Sequence, residues 1–417
     1  MSTIDTIVIG AGHAGLAVSR LLTDAGRDHV VLDRGQVAER WRSERWDSLN
    51  LLTPRWMTRL PGWRYPGADQ EGFMPVGELV GHLEQYAAAS ATPLVLGDEV
   101  HRVTLHRDRY RVETAGRSWQ ARHVVVATGA TGRPNVPAGM DRLDPDIELV
   151  TSSQYRNPDQ LAPGGVLVVG ASASGTQIAD ELVRAGRRVV LAVGRHTRLP
   201  RSYRGMDIFW WLEQTGRLAR HVARGEARVE PSLQLVGREP ADPRGSDVDL
   251  AALQRAGVEL AGHLGSVEGH RVGFRADLPA TTHTADEQMF RFLDTVDRYV
   301  DTHHLGAEVE PPVRPLRVAT DRQPTGLDLR AEGIGTVLLA TGFRPHHPWL
   351  RIPVVGSDGA IQQERGVTAA PGLYVVGQRF QHRRDSTFID GARFGAQDVV
   401  SHMLSGQPVA EALREAS

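Results

Sequence analysis

The chain has 417 residues, with 48 basic and 50 acidic side chains, a net charge of −2 and no cysteine. That balance gives no electrostatic case for nucleic acid, and without cysteine there is no disulfide, thiolate metal site or redox-active thiol pair. Every basic side chain is arginine, which also excludes Schiff-base chemistry on lysine.

The length allows two or three domains. No apolar run approaches the roughly 18–20 residues needed to cross a bilayer. The chain opens directly on a strand pattern, with no basic leader region and no cleavage site. The expectation is a soluble, cytoplasmic protein with neither membrane nor nucleic-acid partners.

The first predicted unit is βαβ over residues 4–33. The run Ile7-Val8-Ile9 leads into Gly10-Ala11-Gly12-His13-Ala14-Gly15, then a helix over Gly12–Ala25, then Val30-Val31-Leu32-Asp33. A strand, a Gly-x-Gly-x-x-Gly turn and a helix form a dinucleotide fingerprint. The first glycine makes the turn, the second admits a pyrophosphate, and the phosphate sits on the positive end of the helix. Asp33 stands where an acid bonds a ribose, so this half reads as an FAD site.

Residues 36–75 follow as a long irregular excursion rich in tryptophan, arginine, proline and glycine. Its four tryptophans, from Trp41 to Trp63, are candidates to cover a flavin ring. A helix is predicted at Val76–Ala89, then short strands near Val100–Leu105 and Tyr110–Thr114. Val124-Val125-Val126 ends in Ala127-Thr128-Gly129, and Val337-Leu338-Leu339 ends in Ala340-Thr341-Gly342. Small residues at both strand ends let a backbone pass close to a cofactor or another segment.

A second fingerprint follows Val166-Leu167-Val168-Val169, reading Gly170-Ala171-Ser172-Ala173-Ser174-Gly175. Its matching strand, Val189-Val190-Leu191, ends in Ala192 rather than an acid, with Arg195, Arg198 and Arg201 beyond. An acid would repel a 2′-phosphate and a guanidinium would hold one, so this half reads as an NADPH site. Arg195 is the first choice for that contact and Arg201 the second. Met206–Leu212 reads either as the buried face of a helix or as an aromatic lid over a substrate pocket. The pocket's shape depends on residues 36–75 and 200–235. The histidine pairs His303-His304 and His346-His347 lack helical ligand spacing, and no metal is assigned.

The fold class expected is α/β, with two dinucleotide-binding Rossmann-like domains and the NADPH domain inserted into the FAD domain. The boundaries are 1–160 and 336–417 for FAD and 161–335 for NADPH, with Arg133–Pro137 and Pro311–Pro315 as linkers. A strand at Leu373–Gly377, a helix at Gly391–Leu404 and a frayed tail over 405–417 complete the chain.

On these motifs, and on Ser152-Ser153-Gln154-Tyr155-Arg156-Asn157-Pro158 before the second fingerprint, the chain resembles the flavin-containing monooxygenase family, including its bacterial and YUCCA-type members. The resemblance implies that NADPH reduces FAD, that reduced flavin and O2 form a C4a-hydroperoxide, and that one oxygen passes to a small organic substrate. Amine N-oxidation or sulfide oxidation leads. Baeyer–Villiger oxygenation is the alternative, weakened because Thr151 replaces the usual histidine of the linker signature and Pro145 and Ile147 replace its Phe-x-Gly. A reductase without oxygen transfer and a flavin-binding redox sensor are the other readings.

By resemblance Trp41, in Glu39-Arg40-Trp41-Arg42, lies near the flavin, and Asn50 and Thr53 are the candidates to stabilise the oxygenated flavin. Gly377-Gln378 and Asp390-Gly391 bring a helix N-terminus toward the flavin pyrimidine edge. The cofactor-binding set is completed by Arg34, Arg42, Val100, Ala127, Thr128, Gly129, Ser174 and Thr341. The partners expected are substrate and O2, with a homodimer as the assembly to consider.

Overall fold

The computed structural model describes residues 2–221, 233–234 and 248–405. Most of the tail, 406–417, and residues 222–232 and 235 of the 200–235 region therefore lie outside the described residues.

The chain begins β1 (Ser2–Ile9), α1 (His13–Asp24) and β2 (His29–Leu32), and passes through α2 (Glu39–Ser43), β3 (Asn50–Pro54) and β4 (Phe73–Pro75). It continues with α3 (Val76–Ala89), β5 (Leu94–Val95), β6 (Val100–His106), β7 (Arg109–Thr114) and β8 (Ser118–Val126). The first sheet is ordered β5-β2-β1-β8-β7-β6, and the late strand Leu373–Val375 also pairs with β8. β8 is shared along its length: Ser118–Ala121 meet antiparallel β7, and Val124–Val126 meet the late strand in parallel. Ile7, Val8 and Ile9 are all buried because both sheet faces are covered, the usual condition of a central parallel strand. One face packs on α1 and on α8 (Ile389–Ser405), through Leu16, Val18, Ala396 and Val399.

The second sheet uses β10 (Glu148–Thr151), β11 (Gly165–Val169) and β12 (Val189–Ala192), reached through β9 (Arg133–Pro134). Its order is β10, Ile334–Leu339, β11, β12, Glu259–Ala261, all parallel. One face packs on α4 (Ala173–Arg184) and α6 (Leu250–Arg255), through Ile178, Leu182 and Leu253. The other is covered by a three-stranded antiparallel sheet carrying Val267, Val272 and Phe274. The second sheet is thus inserted between β8 and the late strand of the first.

The topology moves the expected boundaries. β10 and Ile334–Leu339 both belong to the second sheet, so residues 148–160 and 336–339 sit with the second unit. The first linker falls where proline was expected, at Arg133–Pro134. The second is not Pro311–Pro315, which follows α7 (Leu278–Thr302) and is tied back to it when Arg314 pairs with Asp294 and Asp297. The return crossing is Phe343–Arg344, which pairs antiparallel with Pro134 and Arg133. Two linkers of opposite direction thus zip together between the sheets. The Asn135 N–H donates to the Gly342 carbonyl at 2.8 Å, and the Thr341 hydroxyl donates to the Asn135 carbonyl.

The Met206–Leu212 run forms α5 (Ile208–Gln214), in which Ile208, Phe209, Trp211 and Leu212 are buried against Met289, Phe292 and Val296 of α7. It is the inner face of a helix rather than a lid. The 36–75 excursion is ordered by α2, β3 and β4. Its tryptophans split: Trp41 and Trp46 face the cleft described below, Trp63 packs on Tyr86 and His82, and Trp56 lies under Arg59.

Candidate active site: one cleft between two fingerprints

The two fingerprints are built alike. The Gly10 N–H donates to the Leu32 carbonyl at 2.7 Å, and the Gly170 N–H donates to the Ala192 carbonyl at 2.9 Å. Their φ angles, +114° and +105°, favour glycine. A Cβ on Gly10 would stand 2.6 Å from the Ala127 carbonyl oxygen, and one on Gly170 would stand 2.5 Å from that of Ala340. The third glycines close the turn: a Cβ on Gly15 would lie 1.9 Å from the Gly10 oxygen, and on Gly175 1.7 Å from the Gly170 oxygen. This explains the repeated Ala-Thr-Gly. Each alanine is the neighbouring strand's end, pressed against its own fingerprint.

The middle positions behave differently. Nothing lies within 4 Å of a Cβ built on Gly12. Gly12 is the N-cap of α1 and Ser172 the N-cap of α4, and neither N-terminus has a side-chain cap. Serine is a strong capping residue, yet here its hydroxyl leaves the first-turn N–H groups open. Two uncapped helix N-termini facing one cavity are two ready anion sites.

Both open into a single cleft of about 1200 Å³. Gly10, Gly12, Ala127, Thr128 and Gly129 line it from the first half, and Gly170, Ser172, Ser174, Thr341 and Gly342 from the second. Asp33 lies in it at the end of β2. Its carboxylate accepts the Ala11 N–H at 2.7 Å and the Gly35 N–H at 3.0 Å, which fixes its direction. Val100 and Arg34 line the same end, Arg34 paired with Glu44. Gly377 lies in the opposite wall at φ +73°, and a Cβ there would approach that of Ala14 to 3.0 Å.

Of Arg195, Arg198 and Arg201, only Arg195 lines the cleft. It is exposed and makes no ion pair among the described residues. Arg201 is 4% exposed and sits in an ion pair with Asp207 at 2.5 Å, donating also to the Leu52 carbonyl at 2.7 Å. Arg198 is likewise buried, between Asp249 and Asp286. Both are structural, because the chain turns inward after Arg195 and runs under α7. Arg201 is therefore removed as a phosphate contact. Arg42 is removed from the cofactor set too: it points off α2 to Glu84 and the Val37 carbonyl.

Asn50 lines the cleft beside Leu49, Leu51 and Leu52, but Thr53 does not. A strand advances about 3.3 Å per residue, and β3 has by then left the cleft to pair Pro54 with Phe73. Gln378 is also absent from the lining. The next residue, Arg379, takes that place together with Thr387.

Other residues line the cleft that the sequence left without a role of their own, Arg45 among them although it opens the run 45–54 that resembles the family segment passing the flavin ring. Arg45 lies over the Trp41 ring, 5.2 Å from its centroid, and burial pulls its guanidinium down to about 10. His263 follows the last parallel strand of the second sheet and is oriented by Asp277 at 2.8 Å. His13 was visible inside the first fingerprint but carried no assignment. It lines the cleft, and burial pushes it down to about 4 from 6.5. The segment Ser152–Pro158 holds the cleft wall from behind. Arg156 grips the Ser43 and Arg45 carbonyls, and Tyr155 and Ser48 both donate to Glu181 of α4.

Two Rossmann-type units sharing one cleft define a two-dinucleotide oxidoreductase fold. A family model for pyridine nucleotide-disulphide oxidoreductases matches residues 7–206. An uncharacterized CzcO-like oxidoreductase of Geobacillus kaustophilus is 29% identical, over 96% of this chain and 99% of its own. Indole-3-pyruvate monooxygenase YUCCA1 of Oryza sativa subsp. japonica is 30% identical, over 89% of this chain and 86% of its own. The flavin-containing monooxygenase from Stenotrophomonas maltophilia superposes with a TM-score of 0.66 at 19% identity, covering 97% and 99% of the two chains. The chain belongs to the flavin-containing monooxygenase family of flavin-dependent oxidoreductases. The sequence holds no cysteine to form a redox-active thiol pair. No helix among the described residues is long and apolar enough to cross a membrane.

Proposed function

We propose that this protein binds FAD on the first fingerprint and NADPH on the second, and transfers one oxygen atom from O2 to a small organic substrate, by N-oxidation of an amine or oxidation of a sulfide. The observation that carries the proposal is the pair of uncapped helix N-termini opening into one cleft. A dinucleotide pyrophosphate fits each, and a shared cavity allows electrons to pass directly from one cofactor to the other.

FAD, when bound, supplies the oxygen chemistry. The chain's own residues supply position and dryness. Asp33 accepts hydrogen bonds from an adenosine ribose, and the Gly10–Gly12 turn and α1 receive the pyrophosphate. At the second site, Ala192 leaves room and Arg195 supplies charge for a 2′-phosphate. Trp41, Trp46, Leu49, Leu51 and Leu52 keep the wall apolar, while Asn50 places one amide among them, able to donate or accept. An amine or sulfide brings its own lone pair to the oxygen, so the reaction needs no protein base.

The test is oxygen consumption by purified, FAD-loaded protein with NADPH across amines, sulfides and ketones, with product and hydrogen peroxide both counted. The expected result is an N-oxide or S-oxide matching the NADPH consumed. An ester or lactone from a ketone would move the reading to Baeyer–Villiger chemistry. NADPH oxidation without any oxygenated product, across the whole panel, would overturn it in favour of a reductase or oxidase.

A further inference from the structure

We propose that His263, held by Asp277, is a phosphate-binding residue of the second dinucleotide site, donating from Nε2 to the 2′-phosphate of NADPH beside Arg195. The proposal rests on the reading that NADPH occupies the second fingerprint, and it fills the second-contact role from which Arg201 is removed.

Strand register places the residue. β12 pairs in parallel with Glu259–Ala261, with Ala192 opposite Ala261. The Val193 N–H then donates to the Ala261 carbonyl at 2.9 Å. Two residues beyond the Ala192–Ala261 pair stand Gly194 and His263, with Arg195 next after Gly194. They are neighbours in space: a Cβ built on Gly194 would lie 3.2 Å from the His263 Nε2. Ala192, Gly194, Arg195 and His263 all line the cleft. The imidazole therefore stands at the strand end where the adenosine ribose of a dinucleotide lies.

The ring is held from one side and open on the other. Nδ1 bonds one Asp277 carboxylate oxygen at 2.8 Å, and the second oxygen accepts the His263 N–H at 3.0 Å. The His263 carbonyl accepts the Arg275 N–H at 2.9 Å. Nε2 makes no hydrogen bond among the described residues, and the side chain is 34% exposed, so a ligand in the cleft can reach it. The bond on one ring nitrogen decides what the other presents. With a carboxylate on Nδ1 and a phosphate at Nε2, the ring donates from both nitrogens, as imidazolium does.

The first half supplies the contrast. There β2 pairs with β5, with Leu32 opposite Val95, and the residue two beyond is Gly97, followed by Asp98. Among the described residues, every acid that lines the cleft belongs to that half: Asp33, Glu39, Asp98 and Glu99. The second half lines it with Arg195 and His263 and with no acid. A ribose with free hydroxyls suits the acidic end. A 2′-phosphate suits the basic one.

The test is calorimetric titration of oxidised, FAD-loaded protein with NADP⁺ and with NAD⁺, which differ only in the 2′-phosphate and do not turn over on oxidised flavin. The proteins are the wild type, His263→Asn, whose amide nitrogen stands in for Nδ1 toward Asp277, and His263→Gln. Loss of a charged hydrogen-bond partner is worth roughly tenfold to a hundredfold in affinity. The wild type should prefer NADP⁺. Both variants should weaken NADP⁺ by that factor and leave NAD⁺ unchanged. The rise in melting temperature on adding NADP⁺ should shrink in both, while the rise with NAD⁺ stays. An unchanged preference for NADP⁺ in the two variants overturns the proposal. Equal loss for both nucleotides also overturns it, by giving His263 a role in the fold or at the pyrophosphate. A wild type that does not prefer NADP⁺ sinks the NADPH assignment itself, and this proposal with it.

Discussion

The two halves of the cleft share one backbone plan and differ in a few side chains around it. Gly10 and Gly170, Gly15 and Gly175, and Ala127 and Ala340 occupy matching positions with near-identical close approaches. The departures are Asp33 against Ala192 at the strand end, Gly12 against Ser172 at the helix cap, and His13 against Ala173 and Ala14 against Ser174 at the first two helical residues. Backbone geometry alone therefore makes a dinucleotide site. Which dinucleotide each site takes is left to a few side chains around the same turn.

The largest effect should come from breaking the shared plan on one side at a time. Gly10→Ala and Gly170→Ala each force an unfavourable φ and a collision with a carbonyl oxygen, together costing more than about 3 kcal/mol. Gly10→Ala should purify colourless or insoluble. Gly170→Ala should keep its FAD and lose reduction by NADPH, seen in anaerobic flavin bleaching. The opposite pattern would reverse the assignment of the halves.

His13 should make the first half the more acid-sensitive one. Its folded value, about 4, lies below its ordinary 6.5, so the unfolded chain binds the extra proton between those values. Stability of the apoprotein should then fall as pH drops from about 6.5 toward 4, by up to about 3 kcal/mol from this group. Urea midpoints across that range should show a shallower decline in His13→Gln. An unchanged slope would place the proton elsewhere, for instance on His29 or His196, which burial also lowers.

The asymmetry at the strand ends is sharpened by Arg195→Ala. Loss of one charged hydrogen-bond partner costs roughly 1.5–3 kcal/mol, or about tenfold to a hundredfold in affinity. KM for NADPH should rise by that factor with little change for NADH, and equal losses for both would return Arg195 to an ordinary surface role. Asp33→Ala should weaken FAD by a similar factor without touching the NADPH/NADH ratio.

The smallest effect concerns the shared wall. Asn50→Ala should raise the share of NADPH oxidation released as hydrogen peroxide by a few fold, and Thr53→Ala should not. Equal behaviour of the two would deny Asn50 its place beside the reacting flavin.

Local pattern decided a good deal. Apolar strand, glycine turn and amphipathic helix are read over about thirty residues, and both fingerprints and most of the elements around them were legible in that way. The asymmetry of Asp33 and Ala192 was legible too, since it needs only the register from the turn. Distant pairing was not. The strand at Ile334–Leu339 inserts between β10 and β11, and nothing within it names those neighbours. The return crossing at Phe343–Arg344 is set by pairing with residues two hundred positions earlier.

The sequence alone thus determined that two dinucleotide turns exist and what chemistry each strand end offers, because those are properties of neighbouring residues. Only the tertiary structure decided which of Arg195, Arg198 and Arg201 faces the cleft, that Asn50 does and Thr53 does not, and that His13 lines the cleft while its Nε2 is buried without a hydrogen-bond partner. Those outcomes depend on where a chain turns relative to elements far away in sequence. There, burial against α7, β4 or α8 outweighs any preference the residue carries by itself.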